Sequence, residues 1–143
     1  SKEEILFTVM KEVIEYTSAK QNDAIAQVNS YQDKLKALII SELYAINGVT
    51  RDAMTVLVFE WSALSRNHQH DLLALRTAYE NTWVNILQKL QEQTGYVQSP
   101  QAWRKYLVGS IAWTVTWFKK DGSLTLENLA EQLLLMALGA KLA

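Results

Sequence analysis

Residues 99–138 read SPQAWRKYLVGSIAWTVTWFKKDGSLTLENLAEQLLLMAL, and this stretch decides the fold. Ser99 is placed to cap a helix, and Pro100 suits the first helical position, where the backbone N–H has no intrahelical partner. Apolar residues then recur at helical spacing: Trp103, Tyr106, Leu107, Ile111, Trp113, Trp117 and Phe118. Lys119-Lys120-Asp121-Gly122-Ser123 follows, with cations where a helix C-terminus favours them and a turn glycine. A last stripe holds Leu126, Leu129, Leu133, Leu134, Met136 and Leu138. The spacing predicts helices over about 100–119 and 125–141, paired as a hairpin. Both stripes are wider than one neighbour needs. A hairpin at a domain edge buries one face inward and must hide the other, and a second copy of the chain is the simplest cover. Gly109, Ser110, Ala130 and Ala137 are small enough for close helix approach across a two-fold axis. The other reading is that both stripes close the chain's own core.

Working outward, Gly95 ends a long helix over about 68–94 that carries Leu72, Leu75, Tyr79, Trp83, Ile86, Leu87 and Leu90. Ser65-Arg66-Asn67-His68 breaks the pattern before it. Thr50 is read as the cap of a helix over about 51–65, and its run of Met54, Val56, Leu57, Val58, Phe59 and Trp61 predicts a mostly buried element. A helix over about 24–46 has the face Ile25, Val28, Tyr31, Leu35, Leu38, Ile39 and Leu43, stopped by a left-handed residue at Asn47-Gly48. Thr17 to Asp23 is polar enough to be a connection, with Asp23 as the next cap. The first helix, 1–18, has Ile5, Val9, Val13 and Tyr16 on one face, Ser1 as cap and Glu3 and Glu4 in the first turn. The chain opens at a helix start without Met, and is expected to be the middle of a longer protein. Six helices and no dividing linker make residues 1–143 one all-α domain.

At this length a core can form without disulfides or metals. There are 14 basic and 15 acidic residues, so the chain lacks the charge of a surface that neutralises several phosphates and is not expected to bind nucleic acid alone. It has no cysteine, which excludes thiolate zinc sites and thiol catalysis and fits a reducing compartment such as the cytoplasm. No apolar stretch approaches the roughly 20 residues that span a bilayer, so no membrane partner is expected.

A catalytic constellation cannot be assembled. HExxH, GxSxG, a phosphate-cradling glycine loop and an EF-hand loop are all missing. His68 and His70 are two apart, so on a helix they diverge and read as a solvated cap region more than a metal site. No enzyme activity, cofactor or metal is expected. Glu60 lies in Val56-Leu57-Val58-Phe59-Glu60-Trp61, where an unpaired charge is costly. Arg76 or water is its expected partner; alternatively Arg76 anchors a ligand carboxylate or phosphate. Five tryptophans are many for this length and fill a core or line a flat apolar cavity.

Ser1-Lys2-Glu3-Glu4-Ile5-Leu6 resembles the segment after the recognition helix of TetR-family repressors. Gly109 to Phe118, Asp121 to Thr125, Leu129-Ala130 and Leu138-Gly139 look like the C-terminal pattern of a TetR subgroup that includes regulators responding to acyl-CoA thioesters. The resemblance implies a six-helix TetR C-terminal-like domain whose last two helices form a four-helix-bundle dimer interface. It implies a homodimer, with residues 1–18 as the connecting helix from an absent helix-turn-helix domain, through which alone operator DNA is bound. It implies sensing of a small apolar or amphipathic effector, an acyl-CoA among the options, that alters the spacing of the DNA-binding heads. The expected effector site is Met54, Leu57, Val58, Trp61, Arg76, Tyr79 and Trp83. The expected dimer interface is Tyr106, Gly109, Ser110, Trp113, Trp117, Leu126, Ala130, Leu133, Leu134 and Ala137. The alternative is a structural helical interaction module without a ligand pocket.

Overall fold

The computed structural model describes residues 1–95 and 99–139. Among them the regular structure is helical throughout: α1 (Lys2–Ala26), α2 (Tyr31–Asn47), α3 (Arg51–Phe59), α4 (Arg66–Thr94), α5 (Pro100–Trp113) and α6 (Leu126–Leu138). Single 3₁₀ turns at Trp61–Ala63 and Thr114–Thr116 extend α3 and α5.

The caps follow from residue chemistry. Ser1 accepts from the Glu4 N–H at 3.2 Å while the amino terminus reaches back to Glu4. Ser30, Ser65, Ser99 and Thr125 each accept from the N–H three residues on. Gly95 closes α4 at φ +70°, a left-handed conformation that a side chain would strain.

Helix α2 is the central post, packed against α1, α3, α4, α5 and α6. Leu35, Leu38, Ile39 and Leu43 on it are fully buried, meeting Trp83 and Leu87 of α4, Ile111 of α5 and Ala130 and Leu134 of α6. Each such large side chain contributes about 1.5–3 kcal/mol on full burial. A smaller cluster, Met10, Ile14, Leu64 and Leu72, ties the first half of α1 to the start of α4. At 29 residues α4 is about 44 Å long and runs past both clusters.

Several boundaries differ from the sequence expectations. The polar stretch from Thr17 to Asp23 is helical, so α1 runs on to Ala26. Thr17 returns its hydroxyl to the Val13 carbonyl at 2.7 Å, and Gln21 is buried, so local polarity here marks neither a break nor a surface. The break lies at residues 27–30, and Ser30, not Asp23, caps α2. Gly48 ends α2 at φ −97°, outside the left-handed region; a Cβ there would lie 2.5 Å from the Tyr44 carbonyl oxygen, and that close approach is what calls for glycine. Thr50 gives its hydroxyl to the Ala45 carbonyl and does not cap α3 through its side chain. Helix α3 is short and mostly uncovered: only Met54 is buried, and Val58 and Phe59 are exposed. Helix α5 ends at Trp113, well before Lys119. The expected extension of α6 to 141 reaches beyond the described residues.

Candidate functional site

A cavity of about 370 Å³ lies among α1, α2, α3, α4 and α5. Its apolar walls come from Ile14 of α1, Met54, Leu57 and Val58 of α3, Trp61 just after α3, Trp83 of α4, and Val108 and Ala112 of α5. The structure brings all seven expected effector-site residues, Met54, Leu57, Val58, Trp61, Arg76, Tyr79 and Trp83, to this one cavity. Helical spacing explains the α4 contribution: Arg76, Tyr79, Glu80 and Trp83 recur at three and four residues, on one face.

Polar groups are few and placed in two sets. Arg76 stacks its guanidinium 4.6 Å from the Trp61 ring centre and donates from Nε to Glu80 Oε1 at 3.0 Å. Arg104 of α5 lies 3.6 Å from the same Glu80 oxygen, so two cations share one carboxylate and leave net positive charge at the cavity. The second set is Glu42 and Tyr79. Glu42 is 4% exposed, and the Tyr79 hydroxyl donates to its Oε2. Burial pushes the Glu42 carboxyl up to about 7 from its ordinary 4.5, because desolvation disfavours the anion.

Glu42 and Glu80 were missed as site residues by sequence reasoning, and Glu42 had a readable signal. It falls on the stripe of Leu35, Leu38, Ile39, Leu43 and Ile46, four residues after Leu38. Glu60, the acid singled out instead, is exposed, because α3 stops at Phe59 and turns the chain outward. The expected Glu60–Arg76 contact is not formed; Arg76 pairs with Glu80.

His68 is engaged but with no metal-like grouping: its Nδ1 is 2.9 Å from Glu3 Oε1 and its ring stacks on Phe7. Glu3 also accepts from the Ser65 N–H at 2.5 Å, and these bonds hold its carboxyl below the usual range. The start of α1 is thereby clasped to the start of α4.

The ten residues expected at a dimer interface divide. Tyr106, Gly109, Ser110, Trp113 and Trp117 form an exposed stripe on α5 and the turn after it, with Tyr106 75% and Trp113 61% exposed. Leu126, Ala130, Leu134 and Ala137 are buried in the chain's own core, and Leu133 is half-buried, so these four are not free surface. On α6 the exposed apolar positions are instead Leu135 and Met136. The correction is one of helix rotation: α6 turns its alanines inward onto α2. Among the described residues no helix is long and apolar enough to cross a membrane.

Residues 4–140 match the family model described as tetracyclin repressor-like, C-terminal domain. No curated protein matches the sequence significantly. Among solved structures, the superantigen PfiT is 42% identical, covering 98% of this chain and 74% of its own, with a TM-score of 0.83. AibR, in complex with isovaleryl coenzyme A and operator DNA, is 18% identical over 96% of this chain and 75% of its own, with a TM-score of 0.82. KstR2 of Mycobacterium tuberculosis, a ketosteroid transcriptional regulator, is 20% identical over 97% of this chain and 72% of its own, at 0.80. At that identity the last two speak to the fold. With the family match spanning nearly every described residue and the cavity and exposed aromatic face both in place, the chain belongs to the TetR-type C-terminal domain family, the ligand-binding and dimerisation domain of these transcriptional regulators.

Proposed function

We propose that this domain senses an anionic, largely apolar effector of the acyl-CoA class in the α1–α5 cavity. The observation that carries the reading is the pairing of apolar walls with Arg76 and Arg104, which hold only Glu80 between them. A carboxylate or phosphate from a ligand would find two guanidinium groups there. The volume is at the small end of ligand sites and suits a short acyl group, with a nucleotide portion lying outside. AibR, of the same fold, is the protein solved with isovaleryl coenzyme A, which makes that thioester the first probe. The helical module without a pocket is not favoured, because it offers no account of this cavity.

The exposed stripe of Tyr106, Trp113 and Trp117, with Leu135 and Met136, pairs with a second copy. Helix α1 passes occupancy to DNA-binding heads that precede it, and operator DNA is met only through them. Trp61 on the cavity wall is four residues from Ser65, whose N–H holds Glu3, so a shift at Trp61 reaches the first turn of α1 over a short path. The domain works in the cytoplasm as a sensor, not as an enzyme.

Thermal melting with isovaleryl coenzyme A tests the reading. At a hundred times Kd a ligand adds about 2.7 kcal/mol, several degrees in Tm, and Arg104→Ala reduces that shift. An unchanged Tm at millimolar thioester refutes it.

A second reading rests on the 42% identity to a protein named as a superantigen. If this chain shares that property, the purified protein stimulates polyclonal T-cell proliferation; cultures that stay quiescent dismiss it.

A further inference from the structure

Among the described residues, Glu42 is the acid that folding takes out of water. Nothing about holding Tyr79 requires an acid, since a glutamine carbonyl would accept the same hydroxyl with no ionisable group to desolvate. The cations at the cavity do not answer it either, because Arg76 and Arg104 both turn to Glu80. Tyr79 takes one carboxyl oxygen, and the other has no hydrogen-bond partner among the described residues, on a cavity that Glu42 lines. A neutral buried carboxyl offers one O–H donor.

We propose that the part of the effector inside the cavity carries a hydrogen-bond-accepting oxygen, a carbonyl of the thioester, ester or ketone class, received by the free O–H of Glu42 while Tyr79 orients that carboxyl. The proposal rests on the reading of the cavity as an effector site and adds which chemistry the cavity reads inside its apolar walls. Tyr79 is a positioning residue, and Glu42 contacts the ligand. Because burial lifts the Glu42 carboxyl to about 7, the donor is present below that pH and lost above it. The other titratable groups lining the cavity are Arg76, Tyr79 and Glu80 from α4 and Arg104 from α5; α1 and α3 contribute none.

The test is calorimetric titration of the purified chain at pH 6 and pH 8 with isovaleryl coenzyme A and with its thioether analogue, in which the carbonyl is a methylene. The two ligands share every phosphate, so their affinity ratio isolates the carbonyl. At pH 6 the thioester binds about tenfold more tightly, the worth of one strong hydrogen bond, and the preference fades at pH 8. Glu42→Gln, whose amide still accepts from Tyr79 and donates at any pH, keeps the preference at both. Equal binding of the two ligands at pH 6, or a preference at pH 8 as large as at pH 6 in the unsubstituted chain, overturns the inference and leaves the cavity reading standing. Tighter binding of isopentylamine than of the thioester also overturns it, since Glu42 then serves as an anion for a cation. If neither coenzyme A compound binds, the cavity reading falls and this inference with it.

Discussion

The cavity and the exposed apolar residues of α5 and α6 are opposite departures from an ordinary globular surface and core. In the cavity, Glu42, Tyr79, Glu80 and two arginines sit within apolar walls. On the outer face, Tyr106, Trp113, Trp117 and Met136 stand in water. A polar group inside costs desolvation, and an aromatic ring outside forgoes burial. In the function proposed above, each departure is explained by something that arrives: a ligand with polar atoms in the first case, a second copy in the second. On that proposal the difference lies in scale, because the cavity takes a small molecule within one subunit, whereas the exposed residues lie on two helices and need a larger surface.

Tryptophan substitutions separate the two regions most sharply. Trp83 is fully buried between core and cavity, so Trp83→Ala removes about 3–5 kcal/mol of folding stability, read as a large fall in Tm and denaturant midpoint. Trp113→Asp on the exposed face leaves the subunit's own core intact. It raises the dimer dissociation constant by tenfold or more, at about 2 kcal/mol for a lost aromatic contact, and sedimentation shows half the mass of the unsubstituted species. If Trp113→Asp unfolds the chain and Trp83→Ala does not, the assignment of inside and outside is reversed. Ala137→Arg belongs with the first class: Ala137 is buried, so the variant unfolds the subunit before it dissociates a dimer.

The effect of Glu42→Gln depends on pH. The folded chain keeps the Glu42 proton up to about pH 7, while an unfolded glutamate releases it near 4.5. The folded state therefore binds more protons between these values, and stability falls as pH rises through that window. The variant escapes the loss. It is more stable than the unsubstituted chain by on the order of 3 kcal/mol at pH 8 and equal to it at pH 4, a difference that paired melts at the two values measure. Equal gains at both would remove the buried acid as the cause.

The smallest effect is at the clasp. Glu3→Gln loses a charged acceptor for the Ser65 N–H and His68, at an exposed position where Tm changes little. Hydrogen exchange at the start of α1 accelerates, and in a full-length regulator the effector response weakens. Unchanged exchange there would show that α1 is held by Met10 and Ile14 alone.

Three helix ends were legible in the sequence. Ser1, Ser99 with Pro100, and Gly95 act through their own backbone neighbours, so a local pattern suffices. The six helices follow from apolar spacing for the same reason, and so does the α4 face that carries Arg76, Tyr79 and Trp83. The misreadings lie where a side chain's setting depends on distant residues. Thr17 to Asp23 reads as a linker until Thr17 and Gln21 are seen to be buried, and Glu60 reads as buried until α3 is seen to stop one residue earlier.

By itself, then, the amino-acid order determined six helices, the caps at Ser1, Ser99 and Gly95, the apolar faces and the exposed excess on the last two helices, since all of these are set by 3.6-residue periodicity and short-range hydrogen bonds. Only the tertiary structure decided how each helix is rotated about its axis. That rotation turns Ala130 and Ala137 inward and leaves Leu135 and Met136 outside. It also sets Glu42 against Tyr79, two residues 37 positions apart in the chain. Rotation is fixed by which neighbouring helices must be filled at close-packed density, a property of contacts between distant segments that no local window contains.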